Sequence, residues 1–496
     1  MTMTRPTIAG DASRAPSKTR ARTVLLLLAA GALVAAAAGP AAGAVLRVES
    51  GGSIADALER AEPGDVVEVE PGVYREALTV DTPDLTLRGI VKGDERPVLD
   101  GGGELADGVI ASGSPFRMSG FRIQHYKGNG VTTQGVEGVH LTDLVIDDTG
   151  LYGVYAVGSS DITVTHCTVT RIRDAGIYVG ESNRALVAYN EAHDNVAGIE
   201  IENTNDAEVR DNLARKNTTG ILVFVLSLKM QKEGRRTRVH RNWVTSNNTP
   251  NFGDPEAIVG QLPHGGGILV MGADETVVEN NWVKDNQSYG IAVIRLPEEQ
   301  AAKDPELEPH SDGTVVRDNY LLGNGTDPHP AVARDFGGGA DLVWDGTGEN
   351  NCIDVPEGKV YRGPPAPGCA EQDAAARDEP PAAPTTTAGE RGEAAGEDDS
   401  EAMEADHVVR IHGMRYHPRH LSVEVGDTVE WVNEDAVAHT VTSSRGMEIL
   451  REPLDSSFLL QDQRFHHTFE VAGRFEYLCL PHMDQAPMRG ATVTVE

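Results

Sequence analysis

"GIYVGESNRALVAYNEAHDNVA" (176–197) is one unit of a repeat. The stretch before it, "GVYAVGSSDITVTHCTVTRIRDA" from Gly153, opens in the same way, as does "GIEIENTNDAEVRDNLARKNTT" from Gly198. "GVTT" at Gly130, "GILV" at Gly220 and Gly267, and "GIAV" at Gly290 extend the series. The steps from 130 to 220 are 23, 23, 22 and 22 residues. A fixed period of this size means stacked supersecondary units.

A second signature, V-x-x-N, recurs at Val187/Asn190, Val209/Asn212, Val239/Asn242, Val278/Asn281 and Val316/Asn319. Val164/Cys167 and Leu141/Leu144 hold the same frame in earlier units. Alternating β-branched residues with Gly and Asn at the corners predict short strands and tight bends. The L-x-x-L-x-L skeleton of leucine-rich repeats is missing. The pattern predicts an all-β, right-handed parallel β-helix whose Asn residues stack at a corner and hydrogen-bond from coil to coil. Cys167, in an Asn or Leu slot, is expected to be a buried, inert thiol. "SIADALERA" (53–61) has amphipathic helical spacing and is expected to cap the open end of the stack. On these repeats, residues 45–350 resemble the pectin-lyase-like β-helix superfamily. Within it they are similar to exported bacterial β-helix proteins, including the periplasmic β-helix component of nitrous oxide reductase gene clusters.

At 496 residues the chain is too long for one core. Its formal charge of −33 argues against nucleic acid or an anionic membrane surface as a partner. Basic residues followed by "TVLLLLAAGALVAAAA" and a small-residue "AGA" at 42–44 predict a leader over 1–44 and an exported protein. A retained membrane anchor is the competing reading; the short, Ala-rich run favours cleavage, leaving no membrane span. Export permits disulfides, and Cys352 and Cys369 flank a Pro/Gly-rich stretch that a bridge would close. The β-helix is accordingly taken as 45–369. Residues 370–406 carry twelve acids, two Arg and almost nothing apolar, the composition of a disordered tether.

In G-[IV]-x-[IV] the middle residue should face outward, which stacks Thr132, Tyr155, Tyr178, Glu200, Leu222, Leu269 and Ala292 in one column. Tyr155, Tyr178, Glu200 and Glu202 could form a sugar-binding stripe. An ordinary solvent face is the competing and preferred expectation. The column shows neither the Asp cluster nor the Arg that a uronate lyase or epimerase needs beside its base. Two insertions, 224–266 and 296–313, break the register and should gather as loops on one face. His264 and His310 lie in them and could meet, although solvated surface histidines are the simpler expectation.

The last ninety residues, 407–496, alternate like about seven short strands of a small β-sandwich. "YLCLPHMDQAPMRG" (477–490) holds a Cys and a His, but no second C-x-x-C or H-x-x-x-H for zinc and no second Cys for a dithiol. With the distant His439 and the thioether of Met488 it offers His₂Cys plus Met, the donor set of blue copper. "VGDTVEWVNEDAVAHTV", "FEVAGRFEYLCLPH" and "MRGATVTVE" resemble the amicyanin/plastocyanin family of cupredoxins in order and spacing. The resemblance implies one type 1 copper on His439, Cys479, His482 and Met488. Five residues separate His482 from Met488, more than the family's usual two to four, which leaves Met483 as a rival sulfur. Asn433 is a candidate tie between the His439 and Cys479 loops. His407, His412, His417, His420, His466 and His467 are expected on the surface, or as a second, weaker copper site.

Three functions follow as expectations. The first is an electron carrier whose β-helix docks it to a redox partner protein or a matrix. The second is a polysaccharide-active β-helix enzyme with an accessory copper domain. The third is a copper-handling or maturation factor.

Overall fold

The computed structural model describes residues 43–370 and 405–496, apart from Asp94, Leu228 and short stretches between 436 and 485. The leader expected over 1–44 and the tether over 370–406 lie outside the described residues, save for their edges. Residues 45–362 wind into three parallel sheets of twelve, eleven and ten strands. Each strand pairs with its equivalent one coil away: Ile177 faces Ile199, which faces Ile221. Val187 likewise faces Val209. The inward β-branched residues of all three sheets merge into one core, with Val139, Val187, Ile199 and Val209 fully buried.

The asparagines behave as the V-x-x-N spacing requires. The Asn212 N–H and Nδ2–H both donate to Asn242 Oδ1, at 3.1 and 3.0 Å. Its Nδ2 also donates to the Val187 carbonyl at 2.8 Å, while its Oδ1 accepts from Asn190 N and Nδ2. The ladder continues through Asn281 to Asn319. Cys167 starts it by donating its N–H to Asn190 Oδ1, and burial pushes its thiol up to about 12.

A second ladder was not anticipated. Asn195, Asn217, Asn247, Asn286 and Asn324, each five residues beyond a member of the first, make the same bonds at the next corner. It explains the repeated glycine. A Cβ on Gly198 would lie 2.5 Å from the Gly220 carbonyl oxygen and 2.8 Å from Asn217 Nδ2.

At the N-terminal end, Ile54–Leu58 is helical, capped by Ser53 Oγ, and buries Ile54, Ala57 and Leu58 against the first strands. At the other end a disulfide joins Cys352, on the last strand of the twelve-stranded sheet, to Cys369. The described residues of 407–495 form nine strands, against about seven expected, in sheets of four and five. These enclose Trp431, Tyr416, Tyr477 and Phe469. Among the described residues no helix is long and apolar enough to cross a membrane.

Replacing Asn212 by Ala strands the Asn190 donors in a dry interior, so the β-helix should lose about 1–3 kcal/mol or more. A fall in the urea midpoint measures this; an unchanged midpoint contradicts the ladder's role.

Candidate metal centre

His439, Cys479 and His482 come from two loops at one end of the sandwich. Cys479 follows the strand Gly473–Leu478, and a short 3₁₀ turn carries the chain on to His482. His439 is pinned by a two-way backbone bridge to Leu459, with bonds of 3.0 and 2.7 Å. The ligand atoms of the three residues lie within 4.8 Å of one another, and all three side chains are buried. Cys479 Sγ is 3.5 Å from His439 Nδ1 and 3.3 Å from His482 Nδ1.

The surrounding bonds orient these atoms. His439 Nε2 lies 3.0 Å from Asp435 Oδ2, which fixes the proton there and turns the Nδ1 lone pair toward the sulfur. Asp435 is itself held by the Gly413 and Met414 N–H groups. The Thr440 N–H donates to Cys479 Sγ at 3.3 Å, and the Leu480 N–H donates to Thr440 Oγ1 at 2.9 Å. Thr440 is thus the tie between the two loops. Asn433 bonds instead to the Leu459 carbonyl and accepts from the Asp435 N–H, bracing the His439 side. Met488 is fully buried in the same core cluster as Cys479, and its carbonyl accepts the Cys479 N–H at 2.8 Å. Met483 lies outside the described residues.

Burial pushes the Cys479 thiol up to about 12 and holds His482 down to about 3, the latter with help from neighbouring His439. His439 is lowered by burial against the pull of Asp435. At neutral pH the site therefore holds one thiol proton and two uncharged imidazoles. A soft sulfur, two imidazole lone pairs and an N–H aimed at the sulfur suit copper.

Exposed His412 approaches Asp435 at 3.9 Å, and other histidines belong elsewhere. His407 pairs with Asp427 at 2.9 Å, His466 with Glu430 at 3.0 Å, and His420 with Thr492 at 2.9 Å. His264 meets the ring of His329 at 5.1 Å, while His310 approaches Glu308. Among the described residues, His439, Cys479 and His482 are the one such group close enough to hold a metal.

The site faces the β-helix. Leu478 and Leu480 pack with Leu213, Trp243 and Trp282 of the ten-stranded sheet in one buried apolar cluster. Trp243, Trp282 and Tyr320 share a register position and stack at 5.0 and 3.8 Å. The Trp243 ring meets His482 edge-on at 6.3 Å, leaving that histidine 8% exposed.

The column in the β-helix has the expected register and the wrong expected surroundings. Thr132, Tyr155, Tyr178, Glu200, Leu222, Leu269 and Ala292 do stack on the eleven-stranded sheet. Yet Tyr178 is 1% exposed and Glu200 and Glu202 are 4% exposed, so this is no solvent face. Residues of both insertions and the helix Pro330–Phe336 roof it, enclosing a cavity with Glu200 and Glu202 in its wall. Tyr178, Glu200 and Glu202 are buried and Tyr155 is half-buried, and the cover over the two glutamates comes from chain that breaks the repeat.

Residues 403–496 match the family of copper binding proteins, plastocyanin/azurin family, and residues 107–253 match the right handed beta helix region. The C-terminal domain has the cupredoxin fold. Amicyanin of Paracoccus denitrificans is 36% identical over 89 residues, 18% of this chain and 64% of that protein. Amicyanin of Paracoccus versutus is 32% identical over 75 residues, 15% of this chain and 56% of that protein. The chain thus spans less than two thirds of the length of either relative. Among solved structures, a Cu(I) amicyanin mutant is 35% identical with a TM-score of 0.15, covering 18% of this chain and 80% of that one. A purple cupredoxin from Nitrosopumilus maritimus is 31% identical with a TM-score of 0.17, covering 18% and 100%.

Two outcomes test the centre. Copper(II) uptake by the cupredoxin near pH 7 should release one proton, from Cys479, since both imidazoles are already neutral. Calorimetry in buffers of different ionisation heat counts it; none or two would contradict the arrangement. Asp435→Ala should free the His439 ring and weaken copper binding about 10–100-fold, read by competition with a chelator.

Proposed function

We propose that the chain is an exported electron carrier. Its cupredoxin holds one type 1 copper through His439, Cys479, His482 and Met488, and its β-helix is the scaffold on which this head docks. The observation that carries the reading is the convergence of two imidazole nitrogens on one buried sulfur within 4.8 Å. Copper bound by such a donor set supplies a one-electron Cu(II)/Cu(I) couple.

The protein's part is to keep the donors still and dry. Asp435 and the Leu459 bridge fix His439, Thr440 locks the His439 loop to the Cys479 loop, and the Met488 carbonyl anchors the cysteine backbone. A set held this way rearranges little when one electron arrives or leaves. Burial of Met488 beside Cys479 favours its thioether as the fourth donor.

Docking is supported by the apolar cluster of Leu478 and Leu480 on Leu213, Trp243 and Trp282. A redox partner protein then meets a head whose His482 edge is covered by its own scaffold. Export is supported by the leader sequence and by the Cys352–Cys369 disulfide. A polysaccharide chain fits the β-helix less well, because Glu200 and Glu202 of the stripe line a covered cavity rather than an open groove.

The oxidised, copper-loaded chain should show a thiolate-to-copper absorption band that Cys479→Ser abolishes. Absence of the band, or its survival in that variant, overturns the site; ready transfer of the copper to an acceptor protein points to copper handling instead. Trp243→Ala combined with Trp282→Ala should leave the band unchanged and enlarge the radius of gyration in small-angle scattering. An unchanged radius argues against docking.

A further inference from the structure

The cavity over the eleven-stranded sheet measures 890 Å³, within the range of small-molecule sites. Its floor is part of the stacked column: Glu200, Leu222, Leu269 and Ala292 hold one register position on successive strands. At about 4.8 Å per strand the floor runs roughly 14 Å. Leu226, Leu262, Val332 and Phe336 cover it.

The two ends differ in charge. At the far end Arg295 and Arg334 are balanced by Asp335 and Asp345. At the near end Asp174, Glu200 and Glu202 face one base, Lys229. Lys229 is committed to Glu202 at 2.7 Å. Asp174 hydrogen-bonds Tyr152. Glu200 is 4% exposed, and among the described residues no hydrogen bond or ion pair reaches it. A carboxyl left unmatched in a mainly apolar chamber is costly unless something else matches it.

Ligand classes separate on this lining. An anion meets three acids and one base. A sugar leaves most of its hydroxyls against Leu, Phe and Val, each at a desolvation cost. An organic cation brings Glu200 a charged donor and lays its body on the apolar floor.

We propose that the cavity binds an organic ammonium ion, with its head at Glu200 beside Asp174 and its apolar body along Leu222, Leu269 and Ala292. The Tyr152 ring, in the same wall, adds an aromatic face. Burial and the charges of Asp174 and Glu202 push Glu200 well up, against the opposing charge of Lys229. Burial likewise raises Asp174 to about 6. An incoming cation favours the ionised form of Glu200, so binding should release protons rather than take them up.

Calorimetry on the full chain at neutral pH tests this with n-octylammonium, 1-octanol, octanoate and cellotetraose. Octylammonium should bind at least about ten-fold more tightly than octanol, with net proton release, and the other two should give no heat. Glu200→Gln keeps the shape of the site and should weaken octylammonium about ten-fold or more while leaving octanol unchanged. Leu222→Trp fills the floor and should abolish both. Unaltered circular dichroism and copper band certify that each variant is folded. Equal affinity for octanol and octylammonium, tighter binding of octanoate or cellotetraose, or an unchanged affinity in Glu200→Gln overturns the proposal.

Discussion

The coil-to-coil hydrogen bond of a buried asparagine amide is the constraint on which this architecture rests. Parallel strands carrying similar Val and Ile residues could pair in several registers, since every inward position is much like the next. An amide that must accept two donors and reach a carbonyl on one neighbouring coil, while donating to an amide oxygen on the other, has one solution. Two such ladders, five residues apart along each coil, fix both sides of a corner. The glycine that follows is small because the second ladder occupies the space a side chain would need.

Everything displayed on the outside inherits that register. Trp243, Trp282 and Tyr320 stack because their strands cannot slip, and so do Glu200, Leu222 and Leu269. The cupredoxin solves the opposite problem. Its ligand loops have no periodicity, so their positions are set one bond at a time, by Leu459 on His439, Thr440 on Cys479 and Asp435 on the far imidazole nitrogen.

What could be read from the residues divides along the same line. The first asparagine ladder and the inward Val/Ile faces were legible because they repeat. The second ladder repeats as regularly, at Asn195, Asn217, Asn247, Asn286 and Asn324, and its spacing was there to be found. The cluster of His439, Cys479 and His482 was legible because few residue types bind a soft metal ion and these stand in order. The roles of Asp435 and Thr440 were not, since each depends on how a particular loop turns. The column was assigned to the right strands and the wrong environment. Its cover is built from 224–266, 296–313 and 330–336, which share no pattern with the strands they shield.

The apolar contact between Leu478, Leu480 and the two tryptophans joins parts of one polypeptide. Its formation is therefore unimolecular, and its occupancy does not depend on how dilute the protein is. Such a contact can be weak and still be closed most of the time. It can also be opened by anything that competes locally for the same leucines, so access to the face that carries His482 becomes a matter of competition rather than of collision frequency.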